Sequence, residues 1–191
     1  MSNFITVVSG LPRSGTSMMM KMLEAGGLEI RTDNIREADE DNPKGYYELE
    51  RVKQLDKSSD KSWLKDSEGK VVKVISQLLA ELPADMQYRI VFLRRKMPEV
   101  LASQKKMLER RGEPTDRISD VEMANLFAKH LLQVDSWLKK QPNMAVHYVW
   151  YHEVVAAPEK HANQINEFLG GHLDVEKMTS AVDSSLHRNK A

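Results

Sequence analysis

The chain has 191 residues and no cysteine, the length of one ordinary domain, which excludes disulfide frameworks, thiol catalysis and cysteine-ligated metal sites. Hydrophobic residues make up 41% and charged residues 29%, enough apolar material for a packed core and too much charge for a membrane-embedded chain. Lysine plus arginine equal aspartate plus glutamate at 28 each, so no long-range basic field is present for nucleic acid or an anionic membrane, and any anion must be held by a few placed residues.

Residues 1–9 lack a basic flank and carry too short an apolar run for a signal peptide, and no spanning segment follows, so the chain reads as soluble and cytoplasmic. Residues 4–9 are an apolar β-favouring run, followed by helical periodicity over 15–25. Residues 29–45 are irregular and charged, with a turn at Asn42-Pro43-Lys44-Gly45. Next come a strand over 71–75, a helix over 76–82, a strand over 89–93 and a helix over 98–111. Beyond an irregular stretch at 112–116 a helix over 119–140 opens on the capping box Ser119-Asp120-Val121-Glu122. Its residues Met123, Leu126, Phe127, His130, Leu131, Val134, Trp137 and Leu138 fall on one apolar face, where His130 reads as a satisfied core residue. A strand over 145–150 and helices over 158–169 and 175–182 complete the chain, with a tail over 184–190. The alternation predicts an α/β fold, three-layered, with a mostly parallel central sheet flanked by helices and all of 1–191 in one domain.

The strongest chemical signal is Val7-Val8-Ser9-Gly10-Leu11-Pro12-Arg13-Ser14-Gly15-Thr16-Ser17, where a strand feeds a glycine-bounded turn and then a helix. Gly10 and Gly15 permit torsions that let successive N–H groups and the helix dipole converge on an anion, to which Ser14, Thr16 and Ser17 add hydroxyls and Arg13 a guanidinium. An ordinary nucleotide-triphosphatase loop wants lysine where Thr16 stands, and no later strand ends on the aspartate that would hold magnesium. The reading is therefore of an anion-binding loop, and a magnesium-nucleotide kinase is demoted.

These residues resemble the sulfotransferases that use 3′-phosphoadenosine 5′-phosphosulfate (PAPS), and suggest a short member of bacterial type. Pro12-Arg13-Ser14-Gly15-Thr16-Ser17 is similar, position by position, to that family's 5′-phosphosulfate loop. A strand ending in Arg95, with Ser103 eight positions later, resembles its 3′-phosphate clamp. Tyr151-His152-Glu153-Val154, followed by Pro158, looks like a third, structural segment. The resemblance implies a P-loop-type fold, PAPS as co-substrate with no metal, and donor contacts from Gly10, Pro12, Arg13, Ser14, Gly15, Thr16, Ser17, Arg95 and Ser103. It implies transfer of a sulfuryl group to a hydroxyl or amine of a small-molecule or carbohydrate acceptor, with neither nucleic acid nor membrane as partner. The alternatives are a small kinase using Mg-ATP and a nucleotide-binding module without turnover.

Sulfuryl transfer needs a donor clamp, stabilisation of the charge building on oxygen, and a base for the acceptor's proton. Arg13 is the candidate cation, and Lys73 aligns with a lysine that steadies the sulfuryl group in cytosolic relatives, unless it merely snorkels from the sheet. The histidine base of those relatives would fall near Ile75, which accepts no proton. Carboxylates serve in other branches, and the candidates here are Glu48 first, Asp33 second, then Glu37. The tail residues His187-Arg188-Asn189 could stand in for a missing segment that closes over the adenosine.

Overall fold

The computed structural model describes residues 3–33 and 47–183. The turn at 42–45, the candidate acid Glu37 and the tail residues His187, Arg188 and Asn189 lie outside them. Four strands, β1 (Ile5–Gly10), β2 (Val71–Lys73), β3 (Tyr88–Arg94) and β4 (Met144–Trp150), form one sheet in the order β2-β1-β3-β4, and every pairing is parallel. The helices are α1 (Thr16–Ala25), α2 (Met97–Arg110), α3 (Asp120–Leu138), α4 (Tyr151–Ala156), α5 (Pro158–Leu169) and α6 (Val175–Ser180). None of the described helices is long and apolar enough to cross a membrane.

Side chains alternate across a strand, and both faces of this sheet are buried. Val7, Val72, Ile90 and Phe92 face one layer, where Val134 and Leu138 of α3 pack with Val52, Leu55, Trp63, Leu64 and Leu79. Val8, Val71, Val91 and Leu93 face the other, packed by Met19, Met20, Met22 and Leu23 of α1, Ile165 of α5 and Met178 of α6. The three layers anticipated from the alternation are thus present, and the methionine run of α1 is packing material, adaptable enough to fill the space beside the strands.

Several segments differ from their sequence-based outlines. The expected helix over 76–82 is a 3-10 helix, Ser76–Glu81: it is short, and Leu82 takes an extended conformation because Pro83 follows it. Glu50–Gln54 and Ser62–Ser67 form further 3-10 helices that periodicity cannot detect at five or six residues. The segment after β4 is helical at once as α4, and Ala157 breaks it from α5 because Pro158 cannot follow an α-helical residue comfortably and itself opens the next helix. The capping box at Ser119 is present, with Glu122 N–H donating to Ser119 Oγ and Ser119 N–H to Glu122 Oε2. The predicted apolar face of α3, however, is fully buried only at Val134 and Leu138; Leu126 is 54% exposed. The amino-terminal half of α3 runs beyond the packed core, with His130 half-buried at the transition.

Candidate active site

β1 is buried to its last residue, Gly10, and the chain then turns through Leu11, Pro12, Arg13 and Ser14 into α1, with Gly15 at the N-cap. Two positions of this turn demand glycine. A Cβ on Gly10, at φ 147°, would stand 2.6 Å from the Leu93 carbonyl oxygen and 2.6 Å from Ser14 Oγ. One on Gly15, at φ 100°, would stand 2.4 Å from the Tyr151 ring. The loop is therefore wedged between the end of β3 and the start of α4. Gly15→Ala combines an adverse torsion with a steric clash and is expected to destabilise the protein by about 2–4 kcal/mol. Chemical denaturation tests it, and near-native stability would show that Tyr151 does not wall the loop.

Arg13 also has a positive φ, 69°, a region that costs a residue with a side chain about 1–2 kcal/mol. Two contacts hold it there. Arg95 Nη1 donates to the Arg13 carbonyl oxygen at 3.1 Å, and Arg13 Nε donates to Ser103 Oγ at 3.0 Å. The loop cation and the Arg95/Ser103 pair, separate clusters in the sequence, thus meet as one. Lys73 reaches the same region from the end of β2, its Nζ donating to Ser17 Oγ at 3.2 Å.

The helix start is built for an anion. α1 has no side-chain cap, so the first-turn N–H groups, which have no intrahelical acceptor, are left for another partner, and the helix dipole adds positive potential. Ser14 Oγ is buried with no hydrogen-bond partner among the described residues, an arrangement that costs about 1–3 kcal/mol unless something else bonds to it. Thr16 is buried behind it, while Pro12 is exposed at the tip.

Arg95 itself is nearly inaccessible: its side chain is 8% exposed and that of its partner Glu99 1%. Nε donates to Glu99 Oε2 at 2.8 Å, and the guanidinium carbon sits 4.4 Å from the centroid of the Tyr151 ring. Burial raises the pKa of the Tyr151 phenol and the Arg95 charge works against that rise. The adjacent Arg94 is directed elsewhere, to the Asp135 carboxylate of α3, to whose other oxygen Tyr148 Oη donates at 3.1 Å. Only one of the two consecutive arginines therefore joins the loop.

The two described acids proposed for the acceptor's proton lie together. Ile30 bridges to Val71 in parallel, so the chain from 30 to 33 runs beside β2. Asp33 N–H donates to the Glu48 carbonyl oxygen at 3.3 Å, Asp33 Oδ2 accepts the Glu50 N–H at 2.6 Å, and Lys53 Nζ is 3.0 Å from Glu48 Oε2.

A family model described as a sulfotransferase domain matches residues 5–190. The chain belongs to the sulfotransferase family. No curated protein matches it by sequence. Among solved structures it is similar to the sulfotransferase domain of the curacin biosynthetic pathway, with TM-score 0.55 and 17% identity over 96% of this chain and 88% of that one. It is similar to the sulfotransferase domain of the Synechococcus PCC 7002 olefin synthase, with TM-score 0.57 and 16% identity over 98% of this chain and 80% of that one. It is also similar to a mouse sulfotransferase solved with PAP, with TM-score 0.56 and 15% identity over 95% of this chain and 62% of that one. At such identities the likeness is one of fold, and the fold is the P-loop type of α/β sandwich.

For a sulfotransferase site, two residues that the sequence did not single out matter. Glu99 fixes the Arg95 guanidinium and Tyr151 supports both that guanidinium and Gly15. The four-residue spacing from Arg95 to Glu99 at a helix start was a visible signal. The role of Tyr151 was not, because it depends on α4 packing against a loop more than a hundred residues earlier in the chain.

Proposed function

We propose that this sulfotransferase moves a sulfuryl group from PAPS to a hydroxyl or amine of a small-molecule or carbohydrate acceptor. The observation that carries the reading is the meeting of Arg13, Ser103 and Arg95 at an uncapped helix start whose loop holds a buried, unbonded serine hydroxyl. These groups suit a donor with two anionic ends. The loop from Gly10 to Ser17, including Pro12, Ser14, Gly15 and Thr16, would take the 5′ end through N–H and hydroxyl donors. Arg95 and Ser103 would take the 3′-phosphate, and PAP in the mouse relative's structure is the corresponding product of such a donor.

Arg13 and Lys73 supply positive charge on two sides of the loop, where negative charge accumulates on the leaving and peripheral oxygens. Because the sulfuryl group carries less charge than a terminal phosphoryl, fixed cations and N–H groups can do this stabilising. Glu48 and Asp33 are the carboxylate candidates for the acceptor's proton. Their ties to Lys53 and to the Glu50 N–H mean that either would exchange a present contact to act as base.

Calorimetry tests the donor assignment. 3′,5′-Adenosine bisphosphate without metal is expected to bind, and ATP with magnesium to bind far more weakly. Binding of Mg-ATP alone would sink the reading in favour of a kinase. Transfer of labelled sulfate from PAPS to a panel of alcohols, phenols and amines then separates an enzyme from a nucleotide-binding module without turnover.

A further inference from the structure

Whatever the acceptor, its proton must leave as the new oxygen–sulfur bond forms, and the end of β2 presents a second type of group for it. His130 Nε2 of α3 lies 2.9 Å from Ser76 Oγ, at the start of the 3-10 helix that follows β2. Ser76 is buried, and its hydroxyl lies 3.3 Å from Gln77 Oε1, an atom that only accepts. With the hydroxyl proton directed to Gln77, the serine lone pair accepts Nε2–H and the imidazole carries its free lone pair on Nδ1; with the other tautomer Nε2 accepts from Ser76 instead. Nδ1 has no hydrogen bond among the described residues, and His130 as a whole is half-buried.

The placement fits a reacting group. Ser76 is three residues beyond Lys73, which reaches the loop helix through Ser17, so at most about 11 Å of chain separates them. Between them Ile75 is 37% exposed, an apolar surface at the strand's end. Phe127 and Met123, half-buried, share the His130 face of α3 one and two turns earlier. Burial lowers the His130 pKa, so the proton-accepting form predominates at neutral pH. Each carboxylate candidate, by contrast, is already engaged by a cation or an N–H.

We propose that His130, hydrogen-bonded to Ser76, is the general base of this sulfotransferase, and that the acceptor is an alcohol or phenol with an apolar body resting on Ile75, Met123 and Phe127. The inference rests on the function proposed above. In the step, the acceptor O–H proton passes to Nδ1 while its oxygen bonds to sulfur. The bond from sulfur to the donor's phosphate oxygen breaks, its electron pair stays on that phosphate, and the imidazolium later loses its proton to water.

The test exploits acceptor acidity. PAPS consumption is followed at about pH 8 with water, phenol and 4-nitrophenol, the last already largely ionised there while phenol is not. His130→Gln, which can keep a hydrogen bond to Ser76, is expected to slow reaction with phenol and water by about 100-fold or more. It should leave 4-nitrophenol turnover and bisphosphate affinity within about threefold of wild type, a pattern that loss of a base produces and loss of structure does not. Ser76→Ala should give a smaller loss with the same dependence on acceptor acidity. An equal loss across all acceptors, an unchanged rate, or the acidity-dependent loss appearing instead in Asp33→Asn or Glu48→Gln overturns the assignment. So does a wild type that binds bisphosphate yet consumes PAPS with none of the three. A wild type that does not bind bisphosphate at all refutes the donor reading and not the choice of base.

Discussion

Arg95→Ala is expected to lower stability and donor affinity together, by separable amounts. The Arg95–Glu99 pair is almost wholly buried, and breaking a buried pair by removing one member costs about 3–5 kcal/mol. The same substitution removes the donor to the Arg13 carbonyl oxygen and uncovers the Tyr151 ring. A charge-assisted hydrogen bond to phosphate contributes about 1.5–3 kcal/mol, so 3′,5′-adenosine bisphosphate should bind about 10- to 150-fold more weakly. Adenosine 5′-phosphate should lose much less. The double variant Arg95→Ala/Glu99→Ala distinguishes the two effects: with the buried carboxylate removed as well, part of the stability returns, while bisphosphate affinity stays low. Denaturant titration and calorimetry on the three proteins check this. Equal losses for the two nucleotides would refute the 3′-site assignment, and full stability in the single variant would show that Glu99 does not depend on Arg95 for its burial.

The loop between β1 and α1 was written largely in local sequence. A strand, glycines at both ends of a turn and a following helix specify the loop without distant help, so residues 7–17 could be placed from torsional and dipole arguments alone. That Arg95 and Ser103 come near one place was legible because a strand end and the first turns of its helix are neighbours in sequence as well as in space; in the fold both reach Arg13. What joins those pieces was not legible. That Arg13 reaches Ser103, that Tyr151 abuts Gly15 and that His130 meets Ser76 are contacts across 90, 136 and 54 positions, created by the order β2-β1-β3-β4 and the packing of α3 and α4. Periodicity placed α3 well but overstated its burial, because a helical apolar face says which side turns inward and not how far the core extends. His130 on that face therefore read as core, although it is half-buried and meets Ser76 beyond the end of β2.

Arg13 combines adverse backbone geometry with the chemistry expected of the loop, and substitution can separate them. Its φ of 69° is one that glycine takes readily and other residues resist. Arg13→Ala and Arg13→Gly both delete the guanidinium and its bond to Ser103, but only alanine keeps the torsional penalty, so the glycine variant should be the more stable by about 1 kcal/mol. If the guanidinium meets charge that develops on the transferred group, both variants should lose about 100- to 1000-fold in kcat for PAPS consumption. Bisphosphate, which lacks the sulfuryl group, should bind with a much smaller change. Arg13→Lys keeps the charge without the planar fork and should recover only part of the rate. Matched losses in kcat and in bisphosphate affinity would instead make Arg13 a donor anchor through Ser103. Unchanged turnover in a folded Arg13→Gly would transfer the charge-stabilising role to Lys73, the other cation that reaches the loop helix.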